Sequence, residues 1–128
     1  MKSIRVLIVD DLPQVRQGLA SVLNLAARRT RPMIEVTGEA QNGMEAIQRA
    51  RALNPDVILM DLEMPVMDGY QATHEIKARY PACRVIALTV HGYEAARQKA
   101  IQAGVDVFIV KGAPVETLVQ AISERSNP

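Results

Sequence analysis

This 128-residue sequence has no tryptophan, one phenylalanine, three tyrosines and a single cysteine. The lone thiol, Cys83, excludes an internal disulfide and suits a reducing compartment. With aromatics at 3%, the core must be built from aliphatic side chains. Neither sign of charge prevails: 15 basic against 14 acidic residues leave a formal net charge of +1. Nothing in that balance argues for general binding to nucleic acid or to a membrane surface. No apolar run approaches the length needed to cross a bilayer. A secretory leader is not expected, because Val6–Val9 runs into Asp10-Asp11 rather than a small-residue cleavage site. One cytoplasmic globular domain covering residues 1–128, with a core over about 4–124, is the expectation.

What the sequence does have is four short apolar runs, each ending in a chemically useful polar group. Val6-Leu7-Ile8-Val9 ends at Asp10-Asp11, and Val57-Ile58-Leu59-Met60 at Asp61. Val85-Ile86-Ala87-Leu88 ends at Thr89, and Val107-Phe108-Ile109-Val110 at Lys111. Continuous Val/Ile-rich runs of this length read as strands buried on both faces of a parallel sheet. A further strand, Ile34–Gly38, alternates and suggests a sheet edge.

Helical periodicity fills the gaps. Val15, Leu19, Val22, Leu23 and Ala26 recur at three- and four-residue steps from Pro13 to about Arg29. A second helix runs from Met44 to Leu53 and stops at Asn54-Pro55; a third opens at Asp68-Gly69 and is halted by Pro81. Tyr93 to Ala103 forms a fourth, closed by Gly104, and Pro114 opens a fifth with Val115, Leu118, Val119 and Ile122 on its apolar face. Five βα units imply right-handed crossovers and an α/β, doubly wound, five-stranded parallel sheet. The flavodoxin-like (βα)5 arrangement with strand order 2-1-3-4-5 is the expectation.

In such a sheet, ligands bind beyond the carboxyl ends of the strands, where the four polar ends meet. Three carboxylates a few Å apart repel, and a hard divalent cation such as Mg²⁺ relieves them. With Lys111 included, the charges of Asp10, Asp11, Asp61, Mg²⁺ and the ammonium sum to about zero, so the site tolerates an incoming phosphoryl group of charge near −2. Asp61 is the candidate nucleophile, because carboxylates form aspartyl phosphates. Phosphoryl transfer needs mainly positioning and charge neutralisation.

The stretches Leu7–Pro13, Asp56–Gly69, Ala87-Leu88-Thr89 and Val110-Lys111 together resemble the receiver domain of bacterial response regulators, over about Ile4 to Ile122. Gly38-Glu39-Ala40, Thr89-Val90-His91 and Lys111-Gly112-Ala113-Pro114 are most similar to receivers fused to a LuxR-type helix-turn-helix domain, although no such output domain is expected within these residues.

The resemblance implies a signalling switch that takes a phosphoryl group from a histidine kinase phosphohistidine, or from a phosphotransfer protein, in transcription regulation. Asp61 would be the phosphoacceptor, and Asp10 with Asp11 would hold Mg²⁺, one directly and one through water. The backbone carbonyl of Glu63 would complete the metal site. Thr89 and Lys111 would bind the phosphoryl group, and Phe108 would swing as Thr89 moves, remodelling the face of the fourth helix, fifth strand and fifth helix. Homodimers through the first and fifth helices, or the fourth helix and fifth strand, are implied too. DNA would be reached only through an output domain, and no membrane contact is implied. Two departures stand out. Many receivers have proline after the site lysine, in a cis peptide; here it is Gly112, where a cis bond costs about 3–4 kcal/mol. Val90 is bulkier than the Ala or Ser often found beside the site threonine.

Plainer roles fit several of these residues. Asp11 and Asp68 suit helix caps, Thr89 a structural hydroxyl, Lys111 a solvated lysine, and Phe108 the core. His74 suits solvent, Cys83 an inert buried thiol, and Met60, Met64 and Met67 packing around the loop. His91 stands two residues after Thr89, where with Glu63 it could tune phosphate hydrolysis or be a loop histidine. Arg28, Arg29 and Arg31 extend the end of the first helix. The competing enzyme reading is a phosphohydrolase with an aspartyl-phosphate intermediate on small substrates, from the Asp61-Leu62-Glu63 spacing. A flavin or nucleotide binder is disfavoured, since two aspartates replace a glycine-rich loop.

Overall fold

The computed structural model describes residues 3–124. The elements are β1 (Ile4–Val9), α1 (Pro13–Ala27), β2 (Ile34–Ala40), α2 (Gly43–Leu53), β3 (Val57–Asp61), α3 (Gly69–Arg79), β4 (Arg84–Thr89), α4 (Glu94–Ala103), β5 (Val107–Val110) and α5 (Val115–Ser123). The five strands are parallel in the order β2-β1-β3-β4-β5, so the expected flavodoxin-like topology is the one observed.

Strand periodicity divides the core into two layers. Leu7, Val9, Ile58, Met60, Val85 and Ala87 face one side with Ala46, Ala50, Ala72, Ile76 and Ala100 of α2, α3 and α4. Val6, Ile8, Val57, Leu59, Ile86 and Leu88 face the other with Leu23 of α1 and Leu118 and Ile122 of α5. Small alanines let α2, α3 and α4 approach one side closely, which an aromatic-poor core requires.

The helix ends follow their local chemistry. Asn54 closes α2 in the left-handed region at φ 49° and Gly104 closes α4 at φ 107°. Asp68 caps α3 by accepting from Gln71 N–H, as its plainer role required.

Four expectations are corrected. The strand β5 is not buried on both faces: it is a sheet edge, with Val107 and Phe108 partly buried and Val110 exposed. The strand β2 continues two residues further, to Ala40, because its last residues stay paired with Ile8 and Val9. Asp11 is not the cap of α1; Leu12 holds that position with no side-chain cap bond. Finally, α1 ends at Ala27 with Arg28 as its C-cap, and Arg31 donates to the carbonyls of Arg28 and Thr30, so the basic cluster terminates the helix. Among the described residues the cis peptide is Arg31–Pro32; Lys111–Gly112 is trans, with Gly112 at φ 97°.

Candidate functional site

The order β2-β1-β3 makes the gap beyond β1 and β3 the crossing point of the winding, where such sheets bind ligands. Val9 pairs with Met60, and one residue further on the two chains present Asp10 and Asp61. One carboxylate oxygen from each of Asp10, Asp11 and Asp61 lies within 4.8 Å of the other two. Asp10 and Asp61 are buried and Asp11 is half-buried.

Lys111 follows the edge strand β5, and its backbone N–H donates to Thr89 O at 2.7 Å, fixing where its side chain starts. The ammonium reaches across to Asp10 Oδ2 at 3.0 Å and Asp61 Oδ1 at 3.6 Å. Burial alone would pull its pKa down; the hydrogen bond to Asp10 and the charges of Asp61 and Asp10 outweigh this and hold it above the ordinary lysine value.

The Asp61 pKa is raised as well, which for a carboxyl favours the neutral form. Burial raises its pKa from 3.8 to about 6, the Glu63 N–H and Lys111 oppose this, and the neighbouring charges of Asp10 and Asp11 add to it. The Glu63 N–H donates to Asp61 Oδ1 at 3.2 Å. This loop doubles back tightly: Gly69 N–H donates to Leu62 O, and a Cβ at Gly69 would stand 2.2 Å from the Asp61 carbonyl oxygen.

Thr89 is buried beside the acids, at the end of β4. Its hydroxyl accepts from His91 N–H at 3.1 Å and donates to Glu63 Oε1 at 3.4 Å. His91 Nε2 lies 3.2 Å from the other Glu63 oxygen, so His91 does overlook the site. Phe108 pairs with Ala87 in the sheet and packs, partly buried, against the α2–α4 side of the core.

Two residues at this site were given no site role by the sequence, although Glu39 lies in the Gly38-Glu39-Ala40 stretch of the resemblance. Arg16, in the second turn of α1, donates to the Asp10 carbonyl at 2.6 Å and to Glu39 Oε1 at 3.0 Å. For Arg16, a basic residue six positions after the first aspartate is the trace left in the sequence.

The donor set fits a small hard cation. An octahedron with metal–oxygen distances of about 2.1 Å places its ligand oxygens about 3.0–4.2 Å apart, close to the spacing of the three carboxylates. Burial is the main cause of the raised Asp61 pKa, and the charges of Asp10 and Asp11 add a smaller part that a bound cation would offset.

The response regulator receiver domain family model matches residues 6–123. The chain is 41% identical over 125 residues to the response regulator protein VraR of Staphylococcus aureus, covering 98% of this chain and 57% of that protein. It thus spans little more than half the length of such relatives. Among solved structures it is similar to a LuxR-family two-component response regulator from Aurantimonas, with TM-score 0.84 and 35% identity over 94% of this chain and 83% of that one. It is also similar to a chain of the CheX–CheY–BeF3–Mg²⁺ complex from Borrelia burgdorferi, with TM-score 0.80 and 26% identity over 93% and 86% of the two chains.

Proposed function

This chain belongs to the response regulator receiver domain family, and on that premise we propose that Asp61 is the phosphoacceptor of a switch served by a sensor histidine kinase or a phosphotransfer protein. The observation that carries the reading is the convergence of Asp10, Asp11 and Asp61 within 4.8 Å, with Lys111 bridging two of them. In the transfer, an Asp61 oxygen bonds to phosphorus as the phosphorus–nitrogen bond of the phosphohistidine breaks, and the histidine leaves neutral after taking up a proton.

Asp10, Asp11, Asp61 and the Glu63 carbonyl would hold Mg²⁺, which supplies charge neutralisation at the phosphoryl oxygens. The remaining work belongs to the side chains. Lys111 already contacts Asp61 and pairs with the arriving group. The Thr89 hydroxyl exchanges its long bond to Glu63 for a phosphoryl oxygen, and the space it leaves admits the Phe108 ring. That rearrangement biases the α4–β5–α5 face toward its partner state.

The likeness to VraR and to a LuxR-family regulator supports a role in transcription control. In this proposal DNA is reached through an output domain, and the switch works as a homodimer. No helix among the described residues is long and apolar enough to cross a membrane; the cytoplasm as the place of action is part of the family reading. A small-molecule phosphohydrolase is not favoured by the family match. The test is transfer from a phosphorylated histidine kinase or phosphotransfer protein in the presence of Mg²⁺. Label that arrives on this chain and is released by hydroxylamine supports an acyl phosphate; label that never leaves the donor counts against it.

A further inference from the structure

Asp11 makes no side-chain hydrogen bond among the described residues, so only its backbone aims it at the metal site. Because the peptide unit is planar, whatever fixes the Asp10 carbonyl also fixes the plane from which Asp11 departs. That carbonyl lies past the end of β1, beyond the strand ladder, and it is held by Arg16 at 2.6 Å.

The guanidinium is itself held. Its Nε meets Glu39 Oε1 at 3.0 Å, and Glu39 sits in β2 beside β1, paired with Ile8. The next β2 residue, Ala40, accepts the Asp10 N–H at 3.1 Å. The end of β2 therefore grips both sides of Asp10: its N–H directly and its carbonyl through Arg16. One planar fork serves an oxygen of the loop after β1 and an oxygen on β2, a task a single ammonium performs poorly. The Arg16 side chain is only 15% exposed, so solvent contributes little to holding it.

We infer that Arg16, steadied by Glu39, is a positioning residue that sets the Asp10–Asp11 loop for its divalent cation. The inference rests on the Mg²⁺ reading of the acidic cluster and adds to it an outer layer of support, of the kind whose loss weakens metal binding about 10- to 100-fold.

Simple electrostatics predicts the reverse. Removing a positive charge beside a cation site should strengthen binding, so the sign of the change separates the two accounts. Mg²⁺ is titrated calorimetrically into the unphosphorylated protein, with thermal unfolding measured on the same samples. Arg16→Ala should weaken the dissociation constant about tenfold, and Arg16→Lys, which keeps the charge but loses the fork, should also weaken it. Glu39→Gln should produce a smaller loss. Equal or tighter Mg²⁺ binding in Arg16→Ala and Arg16→Lys, beside a wild type that binds, overturns this inference alone. A wild type that takes up no Mg²⁺ overturns the metal-site reading, and this inference with it. Should Arg16→Ala fail to fold, Arg16→Lys and Glu39→Gln decide the matter.

Discussion

The Lys111 ammonium lies nearer to Asp10, at 3.0 Å, than to Asp61, at 3.6 Å. In this state the lysine compensates the carboxylate on the metal side and leaves Asp61 the less neutralised of the two. Burial, with the charges of Asp10 and Asp11 adding to it, raises the Asp61 pKa to about 6 against the opposing pull of Lys111. The site is thus held short of charge balance until a cation enters.

Replacing the lysine should expose that imbalance. In Lys111→Met the three carboxylates lose their only direct cationic side-chain partner among the described residues. We expect a stability loss of about 1–3 kcal/mol in EDTA, shrinking at saturating Mg²⁺, as thermal melts under the two conditions would report. Phosphorylation by a small acyl phosphate should slow about 100-fold, since a preorganised charge at the transferring group is gone. An equal stability loss with and without Mg²⁺ would contradict this account of Lys111.

Acidity should act on Asp61 in a defined direction. The folded chain holds this proton more tightly than the unfolded chain, with a pKa of about 6 against 3.8. The stability contributed by the protonated form is complete below about pH 4 and is lost as pH rises through about 6. Metal-free Asp61→Asn should therefore gain on wild type with rising pH, by on the order of 2 kcal/mol at pH 7.5 relative to pH 4. Urea midpoints of both proteins in EDTA would measure it. Mg²⁺ affinity should fall below about pH 6, because the cation competes with that proton.

Gly69 is required by contact, not by backbone conformation. An added Cβ would meet the Asp61 carbonyl oxygen at 2.2 Å and the Leu62 Cα at 2.7 Å, both backbone atoms that cannot turn aside. Gly69→Ala should destabilise the fold by about 3 kcal/mol and loosen the phosphoacceptor loop. Denaturant unfolding and the rate of acyl-phosphate labelling should deteriorate together. A variant of wild-type stability would show that the loop relaxes more easily than its packing suggests.

Cys83 should be chemically silent. Burial raises its thiol to about 11, with Lys77 opposing and Asp106 and Asp56 adding to the shift. A thiol-disulfide reagent at pH 8 should label it only at the pace of unfolding, with a large acceleration in urea. Rapid labelling of the native protein would contradict its placement near the start of β4.

The strands and the site they carry were legible in the sequence because buried parallel strands are unbroken apolar runs, and their last residues must be the polar ones. The Asp61, Thr89 and Lys111 termini needed no knowledge of side-chain direction. The expected strand order already put β5 at an edge, but the exposure of its Val110 was not legible, since Val107–Val110 has the same composition as a central strand. Asp11 and Leu12 compete for one cap position, and Asp10 settles it by accepting the Leu12 N–H at 3.0 Å. Arg16 and Glu39 stayed hidden because their partnership runs between a helix and a strand 23 residues apart, with no shared period.

The central claim is that Asp61 accepts a phosphoryl group in a cation-dependent site. Incubation with acetyl phosphate and Mg²⁺, followed by intact-mass measurement, tests it most directly. Wild type should gain one phosphoryl group, while Asp61→Asn, and wild type in EDTA, should gain none. An adduct of equal extent on Asp61→Asn, or no adduct on the wild type, would contradict it.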